Sequence, residues 1–257
     1  MRTQRQGLFI TGTDTGVGKT TLAAALLLRL RARGVDAVPM KPIQTGGTRR
    51  AGKLTAPDLD FCLRVAGLTA TEAMCPYRFA PACAPHLAAR RARRPIRLRT
   101  IVAAFQRLAA RHACVLVEGA GGALVPLGGG HTQLDLMRAL ALPVLVVARP
   151  GLGTLNHTLL TLAALRAARL KVAGVFFVHT QPGRCGPLEH DNAATIAKLG
   201  RVPVLGRLPF LASGADLGLA VQRFSKAWKS APPFFQAQEM SPLGFPKAPQ
   251  RHVEYKG

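Results

Sequence analysis

Residues 7 to 20 read GLFITGTDTGVGKT, an apolar run that breaks into a Gly/Thr-rich turn and closes on Gly18-Lys19-Thr20. Gly7 to Ile10 predicts a short buried strand, and Leu22 to Arg33 predicts a helix. The turn between them aims its backbone N–H groups, and the positive end of the helix dipole, at one point in space where an anion can sit. Lys19 can reach the outer phosphates of a nucleotide, and the Thr20 hydroxyl is placed to hold Mg2+. The common spacing GxxxxGK[ST] puts glycine at position 13, whereas here Thr13 stands there and Gly12 lies one place earlier. A nucleoside triphosphate is the expected ligand.

Apolar runs alternate with helical patterns along the rest of the chain. Strands are expected at Leu8–Thr11, Ala37–Met40, Cys114–Glu118, Val144–Ala148, Val172–Val178 and Val204–Gly206. Helices are expected at Leu22–Arg33, Asp58–Ala66, Ile101–His112, Leu134–Leu142, Leu155–Ala168 and Asn192–Leu199. The strand runs are continuously apolar, as burial on both faces requires. The pattern predicts an α/β fold, a doubly wound and mostly parallel sheet flanked by helices, with ligands at the strands' carboxyl ends. At 257 residues and 48% hydrophobic content the chain can bury one full core, assigned to residues 1–221. From residue 222 the sequence is Pro-rich and loses periodicity, which predicts a poorly ordered tail over 222–257.

Composition narrows the setting. No apolar run approaches the roughly 18 residues of a membrane span. The opening MRTQRQG runs straight into the first strand, which leaves no room for a secretory signal. Cys62, Cys75, Cys83, Cys114 and Cys185 form no C-x-x-C pair, which argues against a zinc site or a disulfide framework and fits a reducing cytoplasm. The net charge of +23 would attract anionic surfaces non-specifically. Its densest run (Arg90, Arg91, Arg93, Arg94, Arg97 and Arg99) lacks interleaved aromatics and any nucleic-acid-binding signature, so it reads as a solvated face. No specific nucleic-acid partner and no membrane are expected.

The polar motifs follow the strands. After the second strand comes Lys41-Pro42-Ile43-Gln44-Thr45-Gly46, where a lysine facing the phosphate loop would add a second cation over a transferring phosphoryl group. Asp58 opens a helix and reads either as its N-cap or as a Mg2+ ligand, while Asp60 points elsewhere toward solvent. The third strand ends in Glu118-Gly119-Ala120-Gly121-Gly122. A carboxylate at that place is where phosphate-loop enzymes keep a metal-binding acid, and the chain has only twelve acidic residues. The fourth strand runs into Gly151-Leu152-Gly153-Thr154-Leu155-Asn156-His157, where free N–H groups at a helix start could seat a carboxylate, or Thr154 could simply cap the helix. His86 and His157 lie near these loops and read as structural.

Taken together, GTDTGVGKT (12–20), KPIQTG (41–46), Asp58, VEGAGG (117–122) and GLGTLNH (151–157) resemble the dethiobiotin synthetases, a family of phosphate-loop ATPases. The similarity covers roughly residues 7 to 215, and in that family a threonine at the position of Thr13 belongs to the pattern. The resemblance implies that 7,8-diaminononanoate, CO2 and ATP give dethiobiotin, ADP and phosphate, with ATP and Mg2+ as cofactors, in a homodimer. It implies that Thr13, Asp14, Thr15, Gly16, Val17, Gly18, Lys19, Thr20, Thr21 and Glu118 hold the nucleotide. Lys19 and Lys41 would neutralise the γ-phosphate and carbamate charges with Thr15 close to both, and Thr20, Asp58 and Glu118 would hold the metal. Thr45 and Gly121 would contact the diamine, and Gly153, Thr154 and Asn156 the substrate carboxylate across the dimer interface. Where the family often carries an adenine-reading Asn, this chain has Val178-His179, which predicts weaker discrimination among triphosphates. A partitioning-type ATPase of the same superfamily would carry a lysine near the start of the loop, where Thr13 and Asp14 stand. A glutamine-dependent amidoligase would need a further Cys domain.

Overall fold

Six apolar runs lie side by side as parallel strands: β1 (Gly7–Gly12), β2 (Ala37–Met40), β3 (Cys114–Gly122), β4 (Val144–Ala148), β5 (Val172–Val178) and β6 (Val204–Leu208). The computed structural model describes residues 7–183, 185–212 and 217–218. The strands take the order β6-β5-β4-β1-β3-β2. Around them pack α1 (Lys19–Ala32), α2 (Pro57–Ala66), α3 (Pro85–Arg91), α4 (Leu98–Ala109), α5 (Gln133–Leu140), α6 (Thr154–Ala167) and α7 (Pro187–Gly200).

The continuous apolar runs are explained by what each strand touches. Successive side chains of a strand point to opposite faces, and the sheet divides two hydrophobic clusters. Leu8 and Ile10 of β1 join Leu22, Leu26 and Leu27 of α1 on one side, with Leu145, Val147 and Phe176. Phe9 joins Ile101 and Phe105 of α4, Leu136 of α5 and Leu162 of α6 on the other, with Val146 and Phe177. Both faces are therefore dry, which is the doubly wound arrangement expected. The chain leaves β1 toward β2 on one side while β4 to β6 add on the other, so the loops around β1 open a crevice at the carboxyl end of the sheet.

Some boundaries differ from expectation. Strand β3 runs to Gly122 rather than stopping at Glu118, because Gly122 still pairs with Gly12 after a register shift. The glycine run is thus strand, not loop. Helix α3 was not anticipated, since Pro85 opens it inside a Pro/Ala-rich stretch with no helical period. The arginines of 90–99 are exposed as expected, although Arg94 lies over the Tyr77 ring at 5.1 Å and donates to the Pro76 carbonyl at 3.0 Å. The expected boundary at 221 and the tail 222–257 lie outside the described residues. No helix among the described residues is long and apolar enough to cross a membrane.

Candidate active site

The turn after β1 shows why its glycine is displaced. Thr13 has an ordinary backbone conformation and its N–H donates to the Val147 carbonyl at 2.9 Å, extending the β1–β4 ladder by one residue. Position 13 therefore needs no glycine. Position 12 does: a Cβ there would lie 2.9 Å from the Asp14 carbonyl and 3.0 Å from Lys19 Nζ. Gly18 caps α1 with φ +91°, a left-handed conformation that disfavours other residues, and any side chain on it would run into Val178. Lys19 folds back over the turn, its Nζ donating to the Asp14 carbonyl at 2.7 Å. Burial pulls the Lys19 ammonium down to about 8, against the opposing pull of the Glu118 carboxylate.

Across the turn, the segment after β2, the middle of β3 and the start of α2 converge. Lys41 follows β2, with its backbone N–H fixed on the Met74 carbonyl at 2.8 Å. Its Nζ lies 2.7 Å from Glu118 Oε1 and 2.6 Å from Asp58 Oδ2. Burial alone would lower the Lys41 ammonium, but the Glu118 and Asp58 carboxylates outweigh it and hold the group above the usual lysine range. Glu118 Oε1 also accepts the Thr20 hydroxyl at 2.8 Å. Asp58 does not cap its helix. Ala56 holds the cap position, its N–H donates to Asp60 Oδ2 at 3.2 Å, and the Asp58 carboxylate is turned to Lys41. Gln44 steadies this turn, its Oε1 accepting the Asp58 N–H at 3.3 Å and its Nε2 donating to the Thr45 carbonyl at 2.9 Å.

One cavity of about 770 Å³ takes in Thr15, Gly16, Gly18, Lys19, Thr20, Thr21, Lys41, Thr45, Asp58, Glu118 and Gly121. Thr13, Asp14 and Val17 belong to the same turn but do not line it, Val17 being fully buried. The Thr20 hydroxyl and the Asp58 and Glu118 carboxylates are hard oxygen donors of the kind Mg2+ prefers, and the donation from Thr20 to Glu118 leaves the hydroxyl lone pairs free for a cation. The donor set fits a magnesium ion.

A family profile described as an AAA domain matches residues 6–215. An ATP-dependent dethiobiotin synthetase of Anaeromyxobacter dehalogenans (strain 2CP-C) is 51% identical over 207 residues, which is 80% of this chain and 90% of that protein. The chain belongs to the dethiobiotin synthetase family. Synthetases of the same description from Mycolicibacterium gilvum (42% identical, 86% of this chain and 96% of that one) and Anoxybacillus flavithermus (38%, 80% and 92%) agree. Among solved structures, a MinC:MinD cell division complex of Aquifex aeolicus covers 97% of this chain and 100% of that one with TM-score 0.57. A ParA family ATPase of Chlorobium tepidum covers 89% and 94% with TM-score 0.50. At 13% and 14% identity these two show the shared fold alone.

In this synthetase-family chain none of Gly153, Thr154 and Asn156, the expected carboxylate seat, lines the main cavity, although His179 and Thr180 join that cavity to the one beside Thr154. Gly153, not Thr154, caps α6, and the Thr154 side chain is buried with its hydroxyl 3.2 Å from that of Thr158. Gly153 and Asn156 are exposed. Thr154 and Thr13 line a second cavity of about 370 Å³ with Arg149, His157 and His179. Arg149 lies 3.5 Å from the Asp14 carboxylate at its edge. Sequence reasoning placed Val178 and His179 beside the base but gave Gln44 no role, and it missed the wall formed by Ala82, Cys83, Ala84 and Pro85 and that formed by Pro209, Phe210 and Leu211. These walls are apolar or small and carry no chemical signature. Only their places after strand ends could have pointed to them.

Proposed function

We propose that the protein performs ATP-dependent dethiobiotin synthesis, taking 7,8-diaminononanoate and CO2 as its other substrates. The observation that supports this reading most is one cavity in which Lys19, Lys41, Thr20, Asp58 and Glu118 meet Thr45 and Gly121. Such a site offers cations and hard oxygen donors and little acid–base apparatus, as a phosphoryl-activated carboxylation requires.

The backbone of Thr15, Gly16 and Gly18 with Lys19 would cradle the outer phosphates, while Thr20, Asp58 and Glu118 would hold Mg2+. When bound, the ion neutralises phosphate charge. One substrate amine, held near Thr45 and Gly121, adds to CO2 and releases a proton, giving a carbamate. A carbamate oxygen attacks the γ-phosphorus, the bond to the bridging oxygen breaks and ADP leaves. Lys19 and Lys41 stabilise the charge that spreads over the transferring group, with Thr15 beside it. The second amine then attacks the carbamoyl carbon, the C–O bond to phosphate breaks, and the proton the amine loses leaves with the phosphate as the cyclic urea closes. Gly153, Thr154 and Asn156 take the substrate carboxylate from a second copy of the chain, a reading suited to their absence from the lining of the cavity that holds Thr45 and Gly121.

The base is read loosely. The cavity wall beside the phosphate turn is Val178, His179, Thr180, Pro209, Phe210 and Leu211, with no side-chain amide to pair with a base edge. Rates with GTP and CTP within about tenfold of the ATP rate are expected, and strict ATP dependence would refute loose reading. The whole assignment is tested by incubating the pure protein with diaminononanoate, bicarbonate and Mg-ATP, with Lys41→Gln as control. Phosphate release that does not respond to the diamine overturns it.

A further inference from the structure

Lys41 occupies the same two carboxylates that the metal reading requires. Lys41 Nζ stands between Asp58 Oδ2 and Glu118 Oε1 at 2.6 and 2.7 Å, and the Glu118 oxygen it uses is the one that also receives the Thr20 hydroxyl. A divalent ion held by hard oxygens sits about 2.1 Å from each. An ion bridging these oxygens would therefore fall within contact distance of the present ammonium. Glu118 is only 5% exposed, so its charged form is stabilised chiefly by a cation partner held against it. The Lys41 backbone is pinned to Met74, which leaves the side chain as the part that can move.

We propose that Lys41 is the resident cation of the nucleotide-free site and is exchanged for the divalent ion when the metal–triphosphate complex enters. This rests on the reading of Thr20, Asp58 and Glu118 as metal ligands. The exchange conserves charge pairing: the carboxylates give up an ammonium and gain the metal, while the ammonium gains the phosphate oxygens that arrive with it. Free metal ions find the carboxylates already paired and bind weakly. Lys41 is released toward the reacting phosphate only once the metal and nucleotide are both in place, so loading and arming are one event.

The test measures Mn2+ binding by electron paramagnetic resonance in nucleotide-free protein, comparing wild type with Lys41→Met and Asp58→Asn. Lys41→Met is expected to bind Mn2+ at least tenfold more tightly than wild type, and its melting temperature should rise more on adding Mg2+. Asp58→Asn should bind Mn2+–nucleotide more weakly than wild type. Weakened binding in Asp58→Asn without tightening in Lys41→Met overturns the exchange and leaves the ligand reading standing. Unchanged binding in Asp58→Asn overturns the ligand reading, and the exchange with it. If Lys41→Met does not fold, wild-type crystals soaked with Mn2+ and a non-hydrolysable ATP analogue decide by anomalous scattering. Lys41 Nζ should then lie beyond about 3.5 Å from at least one carboxylate, and an ammonium still bonded to both beside a bound ion refutes the proposal.

Discussion

Burial makes Lys19 chemically unusual. Its ammonium is drawn from 10.5 to about 8, so the nucleotide-free fold sheds this proton before an unfolded chain would. The charged form costs the fold stability below pH 8, and that cost fades as pH rises from there toward 10.5. Phosphate binding needs the charged form. Nucleotide affinity should therefore hold up to about pH 8 and fall above it. Calorimetry in buffers of different ionisation enthalpy near that pH should also record proton uptake on nucleotide binding. The thiols make a second contrast at this scale. Burial pushes Cys75 up to about 11 and Cys114 up to about 12, and it raises Cys62 further with help from the Glu118 charge. Cys83 and Cys185 are half-exposed. Brief iodoacetamide treatment followed by peptide mass mapping should modify Cys83 and Cys185 and spare the other three, and nucleotide plus diamine should slow Cys83, which lines the main cavity. Single residues were legible in the sequence where charge or hydroxyl chemistry marked them, as with Lys19, Lys41 and Glu118. Phe210 and Leu211 were not, because an apolar cavity wall and an apolar core look alike in one dimension.

At the scale of elements, α2 couples the core to the site. Leu59, 2% exposed, anchors the helix in the cluster under Met40 and Phe79, one residue from the carboxylate that faces Lys41. Leu59→Ala should cost about 2–5 kcal/mol of stability by denaturant unfolding, and the loosened helix should also weaken metal-dependent nucleotide binding. Gly18→Ala acts differently. It forces a left-handed backbone on a side chain that has no room beside Val178, so loss of nucleotide binding should exceed the about 1–3 kcal/mol expected from backbone strain alone. The six strands of the sheet were legible because burial writes an apolar run, unbroken in Val144–Ala148 and shortest in the half-buried edge strand, where Gly206 and Arg207 interrupt it. Helix α3 was not, since Pro85 and the arginines after it carry turn and surface signals, and the buried Ala88 and Ala89 are too small to mark a face. The continuation of β3 through Gly122 was hidden for a similar reason: glycine says turn locally, and only the pairing with Gly12 says strand.

On the scale of the whole molecule, the basic surface of a chain with net charge +23 should leave chemistry at saturating substrate little changed by salt. Capture of the anionic nucleotide should slow as ionic strength rises, visible as a falling kcat/KM with a steady kcat. Removing residues 230–257 should leave activity largely intact, and loss of soluble dimer on truncation would count against a dispensable tail. The division of the candidate site between two adjoining cavities, one lined by Lys41 and Thr45 and the other by Thr154, reaches further. If each reaction centre borrows the start of α6 from a neighbour, a subunit carrying Lys41→Gln and a subunit carrying Asn156→Asp each spoil a different half of the chemistry. Refolded together at equal amounts, half of the dimers are mixed and each keeps one undamaged centre, so about a quarter of wild-type activity should return. Two inert proteins, mixed, would then make a working one.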